Sequence, residues 1–412
     1  MRLLISFAAL FASVLLLQLG SGGVAPLDAV SGLQLHFTKA EVGMLGSAHF
    51  LGFFVGCWWA PRLMGTIGHS RAFAACASAG AIGMLAHMMW VNPVAWAGFR
   101  VLSGLSVAGC YTIIESWLQG KVTNETRGRA TGVYRAVDIS GSLIAQLLIS
   151  VLPPASYMSY NLLAIFCCAA LLPLTLTRAD QPETPAAPRL RPRLAFQCSP
   201  LGSMGVIVSG ITGAAFRMVG PIYGIAVGLS MGEIALFLAA YVAGGGLAQL
   251  PIGWLADKYD RRAILIWLSV GAILACFATI ALSGAGTAGV MIGAGLFGFT
   301  TIPIYSVASA HGHDYARPDQ RVELSAAQMF LYAVGAIASP VVVSALIAAE
   351  GPKSMFVLIM VVHALLIVFG LTRMRARPSV SRTSYVYVPR TSFLIGRLLG
   401  KARDRAPGEA GE

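Results

Sequence analysis

The sequence predicts an all-α integral membrane protein of twelve transmembrane helices arranged as two similar six-helix halves. Three observations predict it. Hydrophobic residues make up 57% of the chain and charged residues only 11%, with a mean hydropathy of +0.74. Apolar runs of membrane-spanning length recur from end to end. The basic residues collect on one side of those runs. A soluble domain carries about 25% charged residues to cover its surface; a chain whose sides meet lipid needs no such cover.

The runs lie near 3–27, 41–62, 72–91, 94–118, 130–151, 157–177, 201–222, 233–256, 263–282, 287–310, 322–347 and 354–373. At about 1.5 Å per residue, roughly 20 residues cross a hydrocarbon core about 30 Å thick. The first run follows Arg2 and stays apolar past Leu19 to Pro26, longer than a signal-peptide core, so it reads as the first helix. Many runs are dotted with Gly and Ala, which lets membrane helices approach closely. Short alternating segments of the β-barrel kind are missing from the pattern.

With the N-terminus placed inside, Lys39 and Lys353 fall outside and Arg100, Arg135 and Arg217 fall within spans. The remaining 24 of the 29 Lys and Arg residues lie on the inner side, as the positive-inside rule requires. Both termini are therefore expected in the cytoplasm of a bacterial-type inner membrane. The net charge of +12 faces anionic lipid headgroups. A nucleic-acid partner is not expected, since no soluble basic domain exists to hold one. The seven Cys residues lack metal-ligand spacing, and His311, His313 and Asp314 read as polar contacts at a helix end. Neither a metal nor a cofactor is expected, and the chain reads as a monomer.

The runs divide the chain into an N-terminal half (1–177), an inner linker rich in Pro and charge (178–200), a C-terminal half (201–373) and a basic tail (374–412). In the tail, Phe393, Leu394, Ile395, Leu398 and Leu399 alternate with Arg397 and Lys401; a surface helix and an unfolded tail both fit. The halves align weakly at an offset near 192. Lys39-Ala40-Glu41-Val42 meets Met231-Gly232-Glu233-Ile234, His49 meets Tyr241, and Gly52 meets Gly244. Six helices per copy keep the orientation, so a pseudo-two-fold axis would run along the membrane normal.

The sharpest motif is Gly253-Trp254-Leu255-Ala256-Asp257-Lys258-Tyr259-Asp260-Arg261-Arg262 at the inner end of the eighth helix. It resembles the G-x-L-A-D-R/K-x-G-R-R/K signature of the major facilitator superfamily, with Asp260 where that family usually has Gly. The first-half copy keeps Gly68 but has Gly65 in place of the acid. Arg100 and Gly104 fit the family's R-x-x-x-G pattern in the fourth helix. With Glu115-Ser116-Trp117, Arg127-Gly128-Arg129, Ala310-His311-Gly312-His313-Asp314 and Gln328 to Gly335, the chain resembles the YcaD-like branch of these facilitators. The fifth helix lacks the G-x-x-x-G-P-x-x-G-G run of many drug antiporters. The resemblance implies transport of a small solute by alternating access. It also implies a gate built from Gly253, Asp257, Lys258, Arg261 and Arg262, and the tandem symmetry of the halves adds Arg127 or Arg129, expected to approach Asp257 when the inner side closes.

Intramembrane charges are costly and therefore usually functional. Arg217 has no acid nearby in sequence, so it needs either a partner from another helix, Asp28 among the options, or an anionic ligand. Arg135 and Asp138 share a helix face at a spacing of three. The expected solute site is Arg217, Arg135 and Asp138 with Tyr111, Tyr241 and His49. Glu115, Asp138 and Arg100 are the expected proton-coupling residues, because no nucleotide-binding loop supplies ATP. An enzyme would need a convergent nucleophile and base, and none is present in the pattern. The alternatives left open are a non-transporting receptor or sensor on the same fold and a drug or metabolite efflux antiporter.

Overall fold

The computed structural model describes the backbone of residues 2–121, 127–176 and 190–376, apart from the side chains of 2–6, 119–121, 127–129, 285, 318 and 375–376. Most of the linker, the whole of 380–412 and the Arg127 and Arg129 side chains thus lie outside the described residues. Among those described, every regular element is helical. In order they are α1 Arg2–Gly22, α2 Val24–Gln34, α3 Lys39–Ile67, α4 His69–Ala86, α5 Pro93–Lys121, α6 Arg127–Leu148, α7 Tyr157–Ala169, α8 Leu171–Leu176, α9 Pro192–Cys198, α10 Pro200–Ala214, α11 Gly220–Ala226, α12 Met231–Lys258, α13 Arg261–Leu282, α14 Thr287–His313, α15 Arg321–Glu350 and α16 Ser354–Ala376.

Ten spans are long and apolar enough to cross a membrane by length and composition. The third and fifth expected spans, α4 and α6, fall short of that test. α4 is just long enough at 18 residues but opens on His69, Ser70 and Arg71, and α6 carries Arg135 and Asp138 in its middle. The first span differs most from expectation. It runs on past Leu27 to Gln34, because Pro26 sits in the first turn of α2, where a missing N–H is tolerated. Asp28 is therefore inside the span. The third span is shorter than expected and ends at Ala86, followed by a turn through Asn92, whose side chain accepts from the Val94 and Ala95 amides at 2.9 and 3.2 Å. Within the expected linker, residues 192–198 form the short helix α9.

The packing repeats. α3 lies on α5 as α12 lies on α14; α4 lies on α5 and α7 as α13 lies on α14 and α16; α1 lies on α6 and α7 as α10 lies on α15 and α16. Across the two sets, α3 meets α15 and α6 meets α12. Local chemistry repeats too. Thr38 and Ser230 cap α3 and α12 with capping boxes closed by Glu41 and Glu233, each satisfying two otherwise orphaned amides. This is the physical content of the weak similarity at offset 192. A Cβ on Gly104 would meet the His49 carbonyl oxygen, and one on Gly298 would meet the Tyr241 carbonyl oxygen. His49 and Tyr241 thus hold equivalent places at two close helix crossings, which only glycine allows.

One end of the bundle is sealed, the end that the charge pattern assigns to the outside. A Cβ on Gly43 would clash with Ser344 and Pro340, and one on Gly46 with Met218 and Pro340. Met218, from the second set of helices, also lies 3.7 Å from the Arg100 guanidinium of the first.

Candidate functional site

The outer seal is built over a buried charge cluster. Asp28 and Arg100 are each 2% exposed, and their charged groups stand 3.4 Å apart. His87 approaches the same carboxylate oxygen at 3.5 Å. The other oxygen accepts from the Tyr160 hydroxyl at 2.9 Å. His87 Nδ1 lies 2.6 Å from the Gly83 carbonyl, and its ring stacks on Tyr160 with centroids 5.0 Å apart. Asp28 Oδ2, Arg100 Nε and His87 Nε2 have no hydrogen bond of regular geometry among the described residues. Charge rather than aligned bonding holds Asp28 to Arg100, and either would be costly to leave alone. Asp28 is thus the partner of Arg100 and not of Arg217.

Arg217 sits below this cluster on a π-helical turn, Ala215–Val219, between α10 and α11. Pro221 explains the turn. It has no N–H to offer the carbonyl four residues earlier, which is that of Arg217, and its ring crowds that carbonyl. Such bulges redirect side chains and recur at functional sites. The Arg217 side chain is solvent-accessible, yet groups from three other helices surround it. It hydrogen-bonds the Tyr241 hydroxyl on α12 and lies within Coulombic reach of Tyr332 on α15 and Asp138 on α6. An accessible side chain enclosed by other helices faces an internal, water-reachable space between the two sets. His49 belongs to the roof of that space. It bonds Ser103 at 3.3 Å and feels both Arg100 and Arg217.

The facing wall carries Glu115, Arg135 and Asp138. Arg135 lies between the acids, 3.9 Å from Glu115 and 4.0 Å from Asp138. Asp138 Oδ1 accepts from Gln18 and from Tyr111, both at 2.8 Å, so its position is fixed from α1 and α5. Glu115 Oε1 accepts from Tyr134 at 3.2 Å. Glu115 and Arg135 are 51% and 61% exposed, and Tyr305 of α14 lies within Coulombic reach of both. Residues from both sets therefore line one space, accessible near the end opposite the outer seal.

At the inner end of α12, Arg261 donates to Asp257 at 2.9 Å and also binds Asp314 and the Ala310 carbonyl. Arg261 thereby ties α13 to the ends of α12 and α14. Lys258 lies over the Trp254 ring at 4.8 Å, and Gly253 has open space where a side chain would project. Asp260 caps α13 through the Arg262 amide at 2.9 Å and chelates the Arg262 guanidinium at 2.7 to 3.2 Å. Burial by itself would raise the Asp260 carboxyl, but these bonds outweigh it and hold it below the usual carboxylate range. The departure from glycine at this position has a backbone reason. Asp260 has φ −61°, while its first-half counterpart Gly68 has φ +81°, the left-handed region that favours glycine.

The structure brings Arg217, Asp138, Tyr111, Tyr241, Arg135 and Glu115 to one space and sets Arg100 apart in the outer cluster. Arg127 and Arg129, whose side chains lie outside the described residues, cannot be placed against Asp257; in this structure its partner is Arg261. Sequence reasoning missed Asp28 as the partner of Arg100, and it missed Gln18, Tyr134, Tyr305 and Tyr332. Asp28 carried a signal, a lone acid after an apolar run, but Pro26 marked that run as ended. His363 bonds Thr212 at 3.1 Å, and His313 makes a polar contact of the kind expected of it, to Ser325 at 3.2 Å.

A family profile described as Major Facilitator Superfamily matches residues 10–204 and again 202–401. The MFS-type transporter YcaD of Escherichia fergusonii, itself uncharacterised, is 28% identical over 355 residues, covering 85% of this chain and 91% of that one. Among solved structures, a bacterial homologue of the human lysosomal transporter Spinster, inward-facing and occupied, superposes with a TM-score of 0.74 at 16% identity, covering 92% of this chain and 98% of that one. A D-xylose-proton symporter superposes at 0.67 and 15% identity, covering 92% and 100%. With two profile matches spanning nearly all the described helices, this chain is a membrane transporter and not an enzyme, and it belongs to the major facilitator superfamily.

Proposed function

We propose that the chain is a secondary active transporter that moves a small organic solute bearing an anionic group across the inner membrane by alternating access, coupled to protons. The observation that carries the reading is Arg217. It is a permanent cation presented to the internal space by a π turn, with the Tyr241 hydroxyl rather than a carboxylate in direct contact. Its planar donor fork matches a carboxylate or phosphate. The outer seal and the accessible inner wall support an inward-open reading, and the charge pattern supports cytoplasmic termini. Coupling draws on the acids in the spans. Glu115 and Asp138 line the solute space, and Asp28 with Arg100 lies under the outer seal, where a proton could exchange for an ion pair as the halves rock. The structural likeness to a proton symporter supports coupling of this kind.

The test is uptake into proteoliposomes with and without an imposed pH gradient, screened across metabolite charge classes. Anionic solutes should accumulate only with the gradient. Arg217→Gln should raise the half-saturating concentration tenfold or more, about 1.4 kcal/mol of binding, without changing thermal stability. If affinity and anion preference survive while only expression falls, Arg217 is structural and the assignment is wrong.

A further inference from the structure

The charges of the solute space are segregated by half. The first set of helices contributes two carboxylates and one guanidinium, Glu115, Asp138 and Arg135. The second contributes one guanidinium, Arg217, among tyrosines. In formal charge, one wall is acidic by one unit and the facing wall is basic by one unit. The empty space is neutral as a whole and polarised across its width.

We infer that the solute is zwitterionic, with an acid group on Arg217 and an ammonium group on Glu115. The inference rests on the transport reading above and deepens it. Three features place the ammonium at Glu115. Asp138 is 19% exposed and Glu115 51% exposed. Asp138 already accepts from Gln18 and Tyr111, whereas Glu115 Oε2 has no described partner and Oε1 has only Tyr134, with Arg135 at 3.9 Å. Two aromatic side chains border it, Tyr134 through its hydroxyl bond and Tyr305 within Coulombic reach, and a desolvated ammonium is attracted wherever it meets an aromatic face.

Closure of the inner end supplies the energetic reason. It takes both walls out of water, and an unpaired buried charge costs several kcal/mol. A monoanion would satisfy Arg217 but leave the space one unit negative and the Glu115 wall unmatched. A zwitterion matches both walls and keeps the space neutral, so a loaded transporter can close. A monoanion can achieve the same balance only by bringing a proton with it, which makes the two cases separable.

Matched triplets separate them. Phenylalanine, tryptophan, leucine, γ-aminobutyrate and alanyl-phenylalanine are each compared with their N-acetyl derivative and methyl ester, by thermal shift and by competition in proteoliposomes. At least one free zwitterion should bind, with acetylation and esterification each weakening it tenfold or more. Glu115→Gln should erase the discrimination against the acetyl form and keep that against the ester; Arg217→Gln should do the reverse. Acetylated anions binding as tightly as their parents would overturn the zwitterion and leave the anion reading standing. Binding confined to the esters, or no binding in any class, would overturn both.

Discussion

Asp28 and Arg100, on the first and fourth transmembrane segments, hold their charges 3.4 Å apart with 2% of each side chain exposed. Met218 covers the pair from the other half. A buried pair of this kind contributes little net stability when intact, but removing one partner strands the other charge at about 3–5 kcal/mol. Arg100→Gln should therefore lower the unfolding midpoint in detergent sharply, and the Asp28→Asn/Arg100→Gln double variant should recover most of that loss. Equal destabilisation by the single and double variants would mean that the pair is not energetically coupled. In transport, Asp28→Asn should keep solute exchange and lose accumulation driven by a pH gradient.

Asp260 gives a pH-dependent prediction outside the membrane. Its carboxyl is held below the ordinary value by the Arg262 bonds, which outweigh burial. A group depressed in the folded state contributes stability above its unfolded value, about 3.9, and that contribution disappears as pH falls through the folded value. The stability advantage of the parent over Asp260→Asn should be constant above about pH 5 and shrink below about pH 4. Thermal unfolding of both proteins from about pH 3 to pH 7 measures it; an advantage that grows on acidification would reverse the assignment.

The fold was largely legible because its signals are one-dimensional. Span length, hydropathy and the one-sided placement of Lys and Arg require no knowledge of which helices touch. The repeat was legible through Glu41 and Glu233, and the structure shows that they close capping boxes. The site was only half legible. Arg217, Arg135 and Asp138 stand out as charges in apolar runs, but partners such as Gln18, Tyr332 and Tyr305 look like ordinary helix residues until packing brings them in. The pairing of Arg100 with Asp28 was hidden for a different reason. Pro26 signals a stop when read along the chain, yet in the folded protein it lies in the first turn of a new helix that continues to Gln34.

Asp257 is 66% exposed and pairs with Arg261 one turn away. On the inward-open reading nothing from the first half needs to reach it. The tandem symmetry places α6 beside α12, so the inner start of α6 should meet the end of α12 when the inner side closes. With the native cysteines replaced, oxidation of an Asp257→Cys/Arg129→Cys pair should give little cross-link without solute and more when solute drives closure. A disulfide requires Cα atoms within about 7 Å. A yield that does not respond to any condition that closes the inner side, with Arg127→Cys giving the same result, would remove α6 from the gate.

Pro221 is the residue on which the presentation of Arg217 depends. Regular helix through this segment would bond the residue-221 amide to the Arg217 carbonyl. Proline cannot donate that bond, and the chain responds with the π turn at Ala215–Val219. Pro221→Ala restores the donor and removes the ring that crowds the carbonyl. The helix should then close to regular α geometry and turn the Arg217 side chain away from Tyr241 and the solute space. Interior proline costs a helix about 3 kcal/mol relative to alanine, so the substitution should leave thermal stability unchanged or raise it. Solute affinity should nonetheless fall tenfold or more, matching Arg217→Gln. A stabilised variant with unimpaired affinity would show that the π turn is a packing accommodation with no part in aiming Arg217, whereas loss of both stability and affinity would show that Pro221 is needed to hold the seventh segment against its neighbours.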